Sequence, residues 1–319
     1  DCSTFDYLIG FMAHMIQKPE EKPGVMITLL GGQGTGKGVY FSLLRAIWPR
    51  TTLLASNIEQ ITGRFNACLE RNFIICMDEA LFAGDRRAMD SLKSIITESM
   101  LQIEQKFQPT RTIQSVHRLF ASSNHSHFGN IELDDRRFVF LRVSGNKQKD
   151  TAYFGGVAAA INDPATIGAL VYYLNRKNLS SFDVRKKPDT SEHLKQKLKS
   201  LQGFDRFWYE VLETGYLNGT GKDFAPQVDE WSSPVFVPTS VLVDRYREFH
   251  KNAQRHQTVQ TADVAASVQK LCPSAQQDRQ MWKPPGVAKG SQKRGLKLPD
   301  LATARSDFER VIGGKIDWD

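Results

Sequence analysis

The sequence predicts an α/β fold, a mostly parallel sheet covered on both faces by helices, followed by a smaller second unit. Three observations predict it. Short continuous apolar runs alternate with stretches of helical periodicity, the pattern of strands buried on both faces. A glycine-rich loop, Gly31 to Gly38, separates one such run from the helix that follows it. After a polar stretch ending near residue 200, hydrophobic patterning restarts at Gly203. A chain of 319 residues has room for about two domains.

The elements follow in order. Phe5, Leu8, Ile9, Met12 and Ile16 recur at helical spacing until Pro19, so residues 4–17 form an amphipathic helix within an N-terminal segment, 1–24. Val25 to Leu30 is a buried strand, and the helix beyond the glycine loop runs from Val39 to Trp48. Leu53-Leu54 is a short strand before a second helix-like stretch, and Phe73 to Met77 is a strand closing on Asp78-Glu79. Residues 86–99 place Met89, Leu92 and Ile96 on one helical face. Leu101 and Ile103 alternate with polar residues, Lys106 to Thr110 turn, and Thr112 to Val116 return as a hairpin.

The strand Leu119 to Ser122 ends on Ser123-Asn124, and Phe138 to Val143 is the last strand of this block. Residues 144–180 are helical in part. Asp183 to Ser200 is polar, a linker or a solvated helix. Past Gly203, Phe204, Phe207, Trp208, Val211 and Leu212 renew the helical pattern, and a helix covers Ser240 to Asn252. Between Met281 and Leu298 no acidic residue occurs, while prolines and glycines make the stretch loop-like.

Composition removes several classes. Lys and Arg number 42 against 35 Asp and Glu, a net charge of +7 that suits a polyanionic partner and equally a solvated basic surface. No window holds eighteen uninterrupted apolar residues, so no membrane span is expected. Cys2, Cys68, Cys76 and Cys272 lie far apart and form neither a disulfide framework nor a zinc site, which suits a reducing interior. The chain starts Asp1-Cys2-Ser3, without Met, as a fragment of a longer polypeptide would.

Gly31 to Lys37 matches G-x-x-x-x-G-K directly after a strand and before a helix. Glycines let the backbone wrap so that N–H groups point at phosphate oxygens, and Lys37 supplies charge near the outer phosphates. The bland alternative is a glycine-rich turn. Gly38 lacks the hydroxyl that Ser or Thr ordinarily places on Mg²⁺; a water could fill that position, or Thr35 or Ser42 could contribute indirectly. Asp78, at a strand end, is placed to hold a Mg²⁺-bound water, and Glu79 to polarise an attacking water.

Asn124 ends a strand and could sense a γ-phosphate or merely cap the strand. Arg136 and Arg137 could cap carboxylates or reach a neighbouring subunit's nucleotide. Lys106, Phe107 and Arg111 give the hairpin a basic–aromatic–basic tip able to engage phosphates and stack on bases, as a solvated turn would also look. His125 and His127 have no third ligand at useful spacing and are structural.

Taken in order (phosphate loop, Asp-Glu strand, helix, basic hairpin, Asn strand, Arg-Arg), the chain resembles the superfamily 3 helicases, AAA+ ATPases of small viruses, phages and plasmids. More narrowly it resembles the helicase part of phage and prophage primase–helicases, whose phosphate loop often reads G-K-G. The similarity covers about residues 5–200, including Gly63-Arg64-Phe65-Asn66 and Lys93 to Glu98.

The resemblance implies an AAA+ P-loop core over 25–200, assembled as a hexameric ring, with ATP between subunits and single-stranded DNA through the centre. Gly31, Gly32, Gln33, Gly34, Thr35, Gly36, Lys37 and Gly38 would bind ATP, Asp78 would hold Mg²⁺ through water, and Glu79 would be the base. Asn124 would be the sensor, and Arg137, or else Arg136, the arginine finger. Lys106 and Phe107 would grip DNA from a pore hairpin. The family translocates 3′ to 5′ and often carries a primase-polymerase domain in the same parent chain. Its setting would be the replication fork in the cytoplasm of a bacterial host. Residues 203–319 resemble the winged-helix region that follows such ATPases, with Lys283, Lys289, Lys293 and Arg294 on the wing or a DNA-facing loop. The main alternative is an ATP-dependent replication initiator or remodeller without processive unwinding. A nucleotide-binding scaffold and a small-molecule kinase fit the motifs less well.

Overall fold

The computed structural model describes residues 2–79, 86–124, 128–129, 131–132, 135–188, 190–216, 231–252, 261–283 and 289–318. His125, His127 and Asp134, and residues 284–288 of the basic stretch, lie outside them. The chain divides into two compact units, Asp1–Ser200 and Leu201–Asp319.

In the first unit, α1 (Cys2–Gln17) precedes β1 (Met26–Leu30), α2 (Lys37–Ile47) and β2 (Thr52–Ala55). A single turn, α3 (Glu59–Thr62), and a 3₁₀ turn at Ala67–Arg71 lead to β3 (Ile74–Met77) and α4 (Arg86–Thr97). The hairpin β4 (Met100–Ile103) and β5 (Arg111–Gln114) follows, then β6 (Arg118–Ser123) and β7 (Phe138–Arg142). Helices α5 (Thr151–Asn162), α6 (Pro164–Arg176) and α7 (Ser191–Ser200) complete it.

Five strands form one sheet in the order β2-β3-β6-β1-β7, every pairing parallel. Strand β6 therefore lies between β1, which feeds the glycine loop, and β3, which feeds Asp78-Glu79. Side chains alternate across a strand, so an all-apolar strand needs cover on both faces. Met26 and Leu30 join Met89, Leu92 and Ile96 of α4 on one face. Ile27 and Leu29 join Phe11 and Met12 of α1 and Phe41 and Leu44 of α2 on the other. The rings of Phe11 and Phe120 meet edge to face at 5.7 Å. Each is fully buried, and truncating either to Ala should cost about 3–5 kcal/mol. The N-terminal helix is thus integral to this core rather than a segment apart.

Two local expectations fail. The helix-like stretch after Leu54 holds only α3 and the 3₁₀ turn, because Gly63 ends it with an extended backbone. The polar stretch before residue 200 is no linker: α7 packs against β7 and buries Glu192, Gln196 and Lys197. Glu192 accepts from Arg142 Nε at 2.7 Å, and Gln196 Oε1 accepts from the Phe128 backbone N–H at 2.9 Å. Hydropathy cannot foresee a buried polar helix face whose partners come from distant strands.

The second unit comprises α8 (Gly203–Thr214), β8 (Val235–Pro238), α9 (Thr239–Asn252), α10 (Thr261–Leu271), β9 (Gln276–Trp282), β10 (Ser291–Leu298) and α11 (Leu301–Ile312). Its sheet is antiparallel, β8-β10-β9. Trp208, Leu212, Val268, Leu296, Leu298 and Phe308 are buried in it. Trp231 Nε1 donates to the Pro299 carbonyl at 2.6 Å, and Asp300 caps α11 through the Thr303 N–H at 2.9 Å. The loop expected up to Leu298 is a strand from Ser291 onward. Its charges are on a ribbon whose inward Leu296 and Leu298 were masked by the surrounding lysines.

Candidate nucleotide site

The C-terminal ends of β1, β3 and β6 bring Lys37, Asp78, Glu79 and Asn124 together. Beyond Leu30, the Gly31 N–H donates to Ser123 O at 3.2 Å, fastening the start of the loop to β6. Gly34 and Gly36 have φ of 74° and 98°, left-handed values that disfavour any side chain. A Cβ on Gly36 would stand 2.8 Å from the Phe154 ring. Thr35 Oγ1 donates to Gly32 O at 2.9 Å, and the exposed Gln33 carbonyl accepts from Gln148 Nε2 at 2.7 Å.

Lys37 opens α2 and is buried. Its Nζ donates to Gly31 O at 2.8 Å, Gly32 O at 2.7 Å and Asn124 Oδ1 at 2.6 Å. Burial draws this ammonium below the usual lysine range, against the opposing pull of Asp78 and Glu79. A cation so held inside a loop of glycines is arranged for an anion.

Asp78 Oδ1 accepts from Ser122 Oγ and from the Glu79 N–H at 3.1 Å. Glu79 has φ of 52° and accepts from Asn124 Nδ2 at 3.1 Å. Both carboxylates are exposed at the sheet edge. An exposed aspartate with hard oxygen donors suits a hydrated Mg²⁺ shared with phosphates, which needs only one or two protein carboxylates. A Cβ on Gly38 would meet nothing within 4 Å, so water has room where a hydroxyl usually sits. The donor set fits the ion. Ser122, buried in β6, was missed by sequence reasoning; the Ser-Ser-Asn ending of an apolar strand was the available signal.

The other candidates lie apart from this cluster. Met26 N donates to Arg137 O, and Phe138 pairs with Met26, so Arg136 and Arg137 sit at the N-terminal edge of the sheet. Five strand residues separate that edge from the loop, about 17 Å. Neither arginine can reach the glycine loop of its own chain from there. Arg137 Nη1 pairs with the buried carboxylate of Asp135 at 3.3 Å, whereas Arg136 is exposed.

On the hairpin, Phe107 is 93% exposed, and Lys106 Nζ lies 5.1 Å from the centroid of its ring. Arg111 is engaged elsewhere: Nε donates to Glu70 Oε1 at 2.7 Å and Nη1 to Gln108 at 3.0 Å. In the second unit, Lys283 and Lys289 flank the β9–β10 connection, and Lys293 and Arg294 are exposed on β10.

The same architecture occurs in a known phage protein. The apo structure of the C-terminal region of NrS-1 matches with a TM-score of 0.68, covering 93% of this chain and 72% of that one at 18% identity. A further apo structure of that region gives 0.58 over 94% and 72%, at 17% identity. The chain shares the fold of that region. In sequence, 149 residues are 29% identical to the DNA primase-polymerase of Nitratiruptor phage NrS-1, 45% of this chain and 20% of that protein. The chain thus matches about a fifth of the length of this curated relative. Residues 29–137 match a family of unknown function, DUF5906, which runs from β1 to Arg137. Among the described residues, no single helix is long and apolar enough to cross a membrane.

Proposed function

We propose that the chain is the ATP-driven DNA helicase module of a phage or prophage primase–helicase, a superfamily 3 member of the AAA+ ATPases. One observation carries the reading. Asn124, directly after the strand inserted between β1 and β3, bonds Lys37 with one end of its amide and Glu79 with the other.

In this reading Gly31 to Gly38 cradle the phosphates of ATP, and Lys37 turns from the loop carbonyls toward them. Asp78 holds the Mg²⁺ through water, with Ser122 fixing its carboxylate. When bound, Mg²⁺ offsets phosphate charge and aligns the triphosphate. Glu79 takes the proton of the attacking water, and Asn124 positions Glu79. Because Arg136 and Arg137 stand at the far edge of the sheet, they act on a neighbouring copy's nucleotide within a ring, a hexamer by family resemblance. Exposure favours Arg136 as the finger.

Lys106 and Phe107, at the tip of the β4–β5 hairpin, meet single-stranded DNA. The order helix, strand, two helices, hairpin and helix in the second unit supports a winged helix, with Lys283, Lys289, Lys293 and Arg294 toward DNA. The NrS-1 relative is a primase-polymerase, which supports such a domain in the same parent chain, working in the cytoplasm of a bacterial host.

The test is strand displacement on forked and singly tailed duplexes, with ATP hydrolysis followed in parallel. Unwinding that requires a 3′ tail and stops in Lys37→Ala bears the reading out. DNA-stimulated hydrolysis without displacement would replace it with an initiator or remodeller.

A further inference from the structure

In the second unit, β8 pairs with β10 only from Gly295 onward. The outer halves of β9 and β10, Arg279 to Trp282 and Ser291 to Arg294, therefore form a two-stranded ribbon beyond the sheet. Side chains alternate along each strand, so the register assigns them to faces. On one face Arg279 stands directly opposite Arg294, and Met281 opposite Gln292. The next pair inward on that face is Gln277 and the buried Leu296, and Gln277 Nε2 donates to Gln269 Oε1 of α10 at 3.1 Å. The other face carries Lys293 and Lys297 with Asp278, whose carboxylate accepts from Gln280 Nε2 at 2.7 Å. One face balances lysines against an acid; the other sets two arginines together without one.

Like charges directly opposite each other destabilise an antiparallel pair. Their Cα atoms stand about 4.5–5.5 Å apart, so both guanidiniums share one small volume. Both arginines are exposed, and among the described residues neither guanidinium has a hydrogen-bond or ion-pair partner. The chain between Met281 and Leu298 has no acidic residue to supply one. Two unpaired, forked cations held against their own repulsion fit a phosphate, which guanidiniums grip bidentately.

We propose that Arg279 and Arg294 clamp the phosphate backbone of duplex DNA, so that the ribbon rather than α10 supplies this unit's grip, which rests on the DNA-facing reading of the unit. Among the basic residues of β10 this selects Arg294 over Lys293 and Lys297. Helix α10 offers little attraction: its exposed described positions are Asp263, Ala266 and Lys270, without net charge. Single strands are held by stacking on exposed aromatic rings. Among the described residues the arginine face of the ribbon has no ring, since Trp282 shares the other face with Ser291. A duplex keeps its bases inside and its phosphates outside, so charge alone can hold it. Phosphate contacts carry no sequence information, so the grip is indifferent to sequence.

Fluorescence anisotropy of the full chain with short blunt duplexes and with a single strand tests this. Arg279→Gln and Arg294→Gln should each weaken duplex binding about ten-fold, equally for two unrelated sequences, and reduce the salt slope by about 1. Lys293→Gln, on the other face, should cost no more than about two-fold. Single-strand affinity should move less than about two-fold in either arginine variant, because the hairpin carries it. Without DNA, Arg294→Gln should melt no lower than the parent, since it removes a repulsion. Arginine variants that bind duplex like the parent overturn the clamp without touching the DNA-facing reading, as does an equal loss in Lys293→Gln or on the single strand. A melting temperature lowered by several degrees overturns it too, because the arginines would then serve the fold. If the parent binds no duplex at all, the DNA-facing reading of the unit fails and the clamp falls with it.

Discussion

Asn124 Nδ2 donates to Glu79 Oε1 at 3.1 Å, and the orientation of that amide is set by its other end, where Oδ1 must accept from the Lys37 ammonium. Lysine has no acceptor, so the nitrogen is left to face the carboxylate. Asn124→Ala should therefore lower kcat for ATP hydrolysis by about 10²-fold while changing nucleotide affinity only a few-fold. Asn124→Asp should be worse, because it sets a second carboxylate against Glu79. Steady-state hydrolysis beside a binding titration checks both. An equal loss of affinity and turnover would mean that Asn124 serves Lys37 alone.

Two glycines of the loop should respond oppositely. Gly36→Ala combines a left-handed backbone with a 2.8 Å approach to Phe154, and should lower both the melting temperature and nucleotide affinity, the latter more than ten-fold. Gly38→Ser enters open space in the first turn of α2. It should leave the melting temperature unchanged or slightly raised and reduce the Mg²⁺ concentration needed for half-maximal hydrolysis. A Mg²⁺ requirement identical to the parent's would show that the added hydroxyl does not reach the ion.

The arginine pair separates a structural role from a shared-site role. Arg137→Ala removes the partner of the buried Asp135 carboxylate, which also accepts the Arg137 and Phe138 N–H groups, and should cost about 1–2 kcal/mol in thermal unfolding. Arg136→Ala should leave stability unchanged. Mixed into parental subunits, it should depress hydrolysis more steeply than its own fraction. Strictly proportional loss would argue against a site completed by a neighbouring copy.

The hairpin tip makes a DNA prediction without a folding cost. Phe107→Ala and Lys106→Ala should shift the melting temperature by no more than about 1 °C and weaken single-stranded DNA binding roughly ten-fold. Only Lys106→Ala should also flatten the salt dependence. Arg111→Ala should do less to DNA binding, since its guanidinium is committed to Glu70 and Gln108. Fluorescence anisotropy at several salt concentrations distinguishes the three variants.

Acid should weaken the first unit through His193. Burial, reinforced by Lys187 and Lys197, pushes its imidazole down to about 3. It accepts from Lys187 Nζ at 3.2 Å as a neutral ring. In the unfolded chain the same group titrates near 6.5, so below that pH the unfolded state binds a proton the folded state refuses. The contribution is complete above pH 6.5 and is lost progressively toward pH 3. His193→Gln should flatten the fall of melting temperature between pH 6.5 and 4 by several degrees relative to the parent. Parallel curves would remove His193 as a source of acid sensitivity.

Much of the first unit is legible in the chain because its parallel strands, buried on both faces, are mostly apolar, and a glycine-rich turn between strand and helix interrupts the pattern locally. Asp78 and Glu79 stand out by ending such a strand. Ser122 does not, because a small hydroxyl inside an apolar run carries no signal until its strand is laid beside β3.

The sequence by itself determined the order of the strands along the chain, the glycine-rich loop and the acidic strand end, since local periodicity and glycine stereochemistry settle those within a few residues. Only the tertiary structure decided that β6 enters between β1 and β3 and so carries Asn124 to both Lys37 and Glu79. It also decided that Arg136 and Arg137 stand a sheet's length from that cluster, and that Arg111 is tied to Glu70. Each of these depends on which strand lies beside which, and lateral strand order is fixed by packing among residues far apart in the chain.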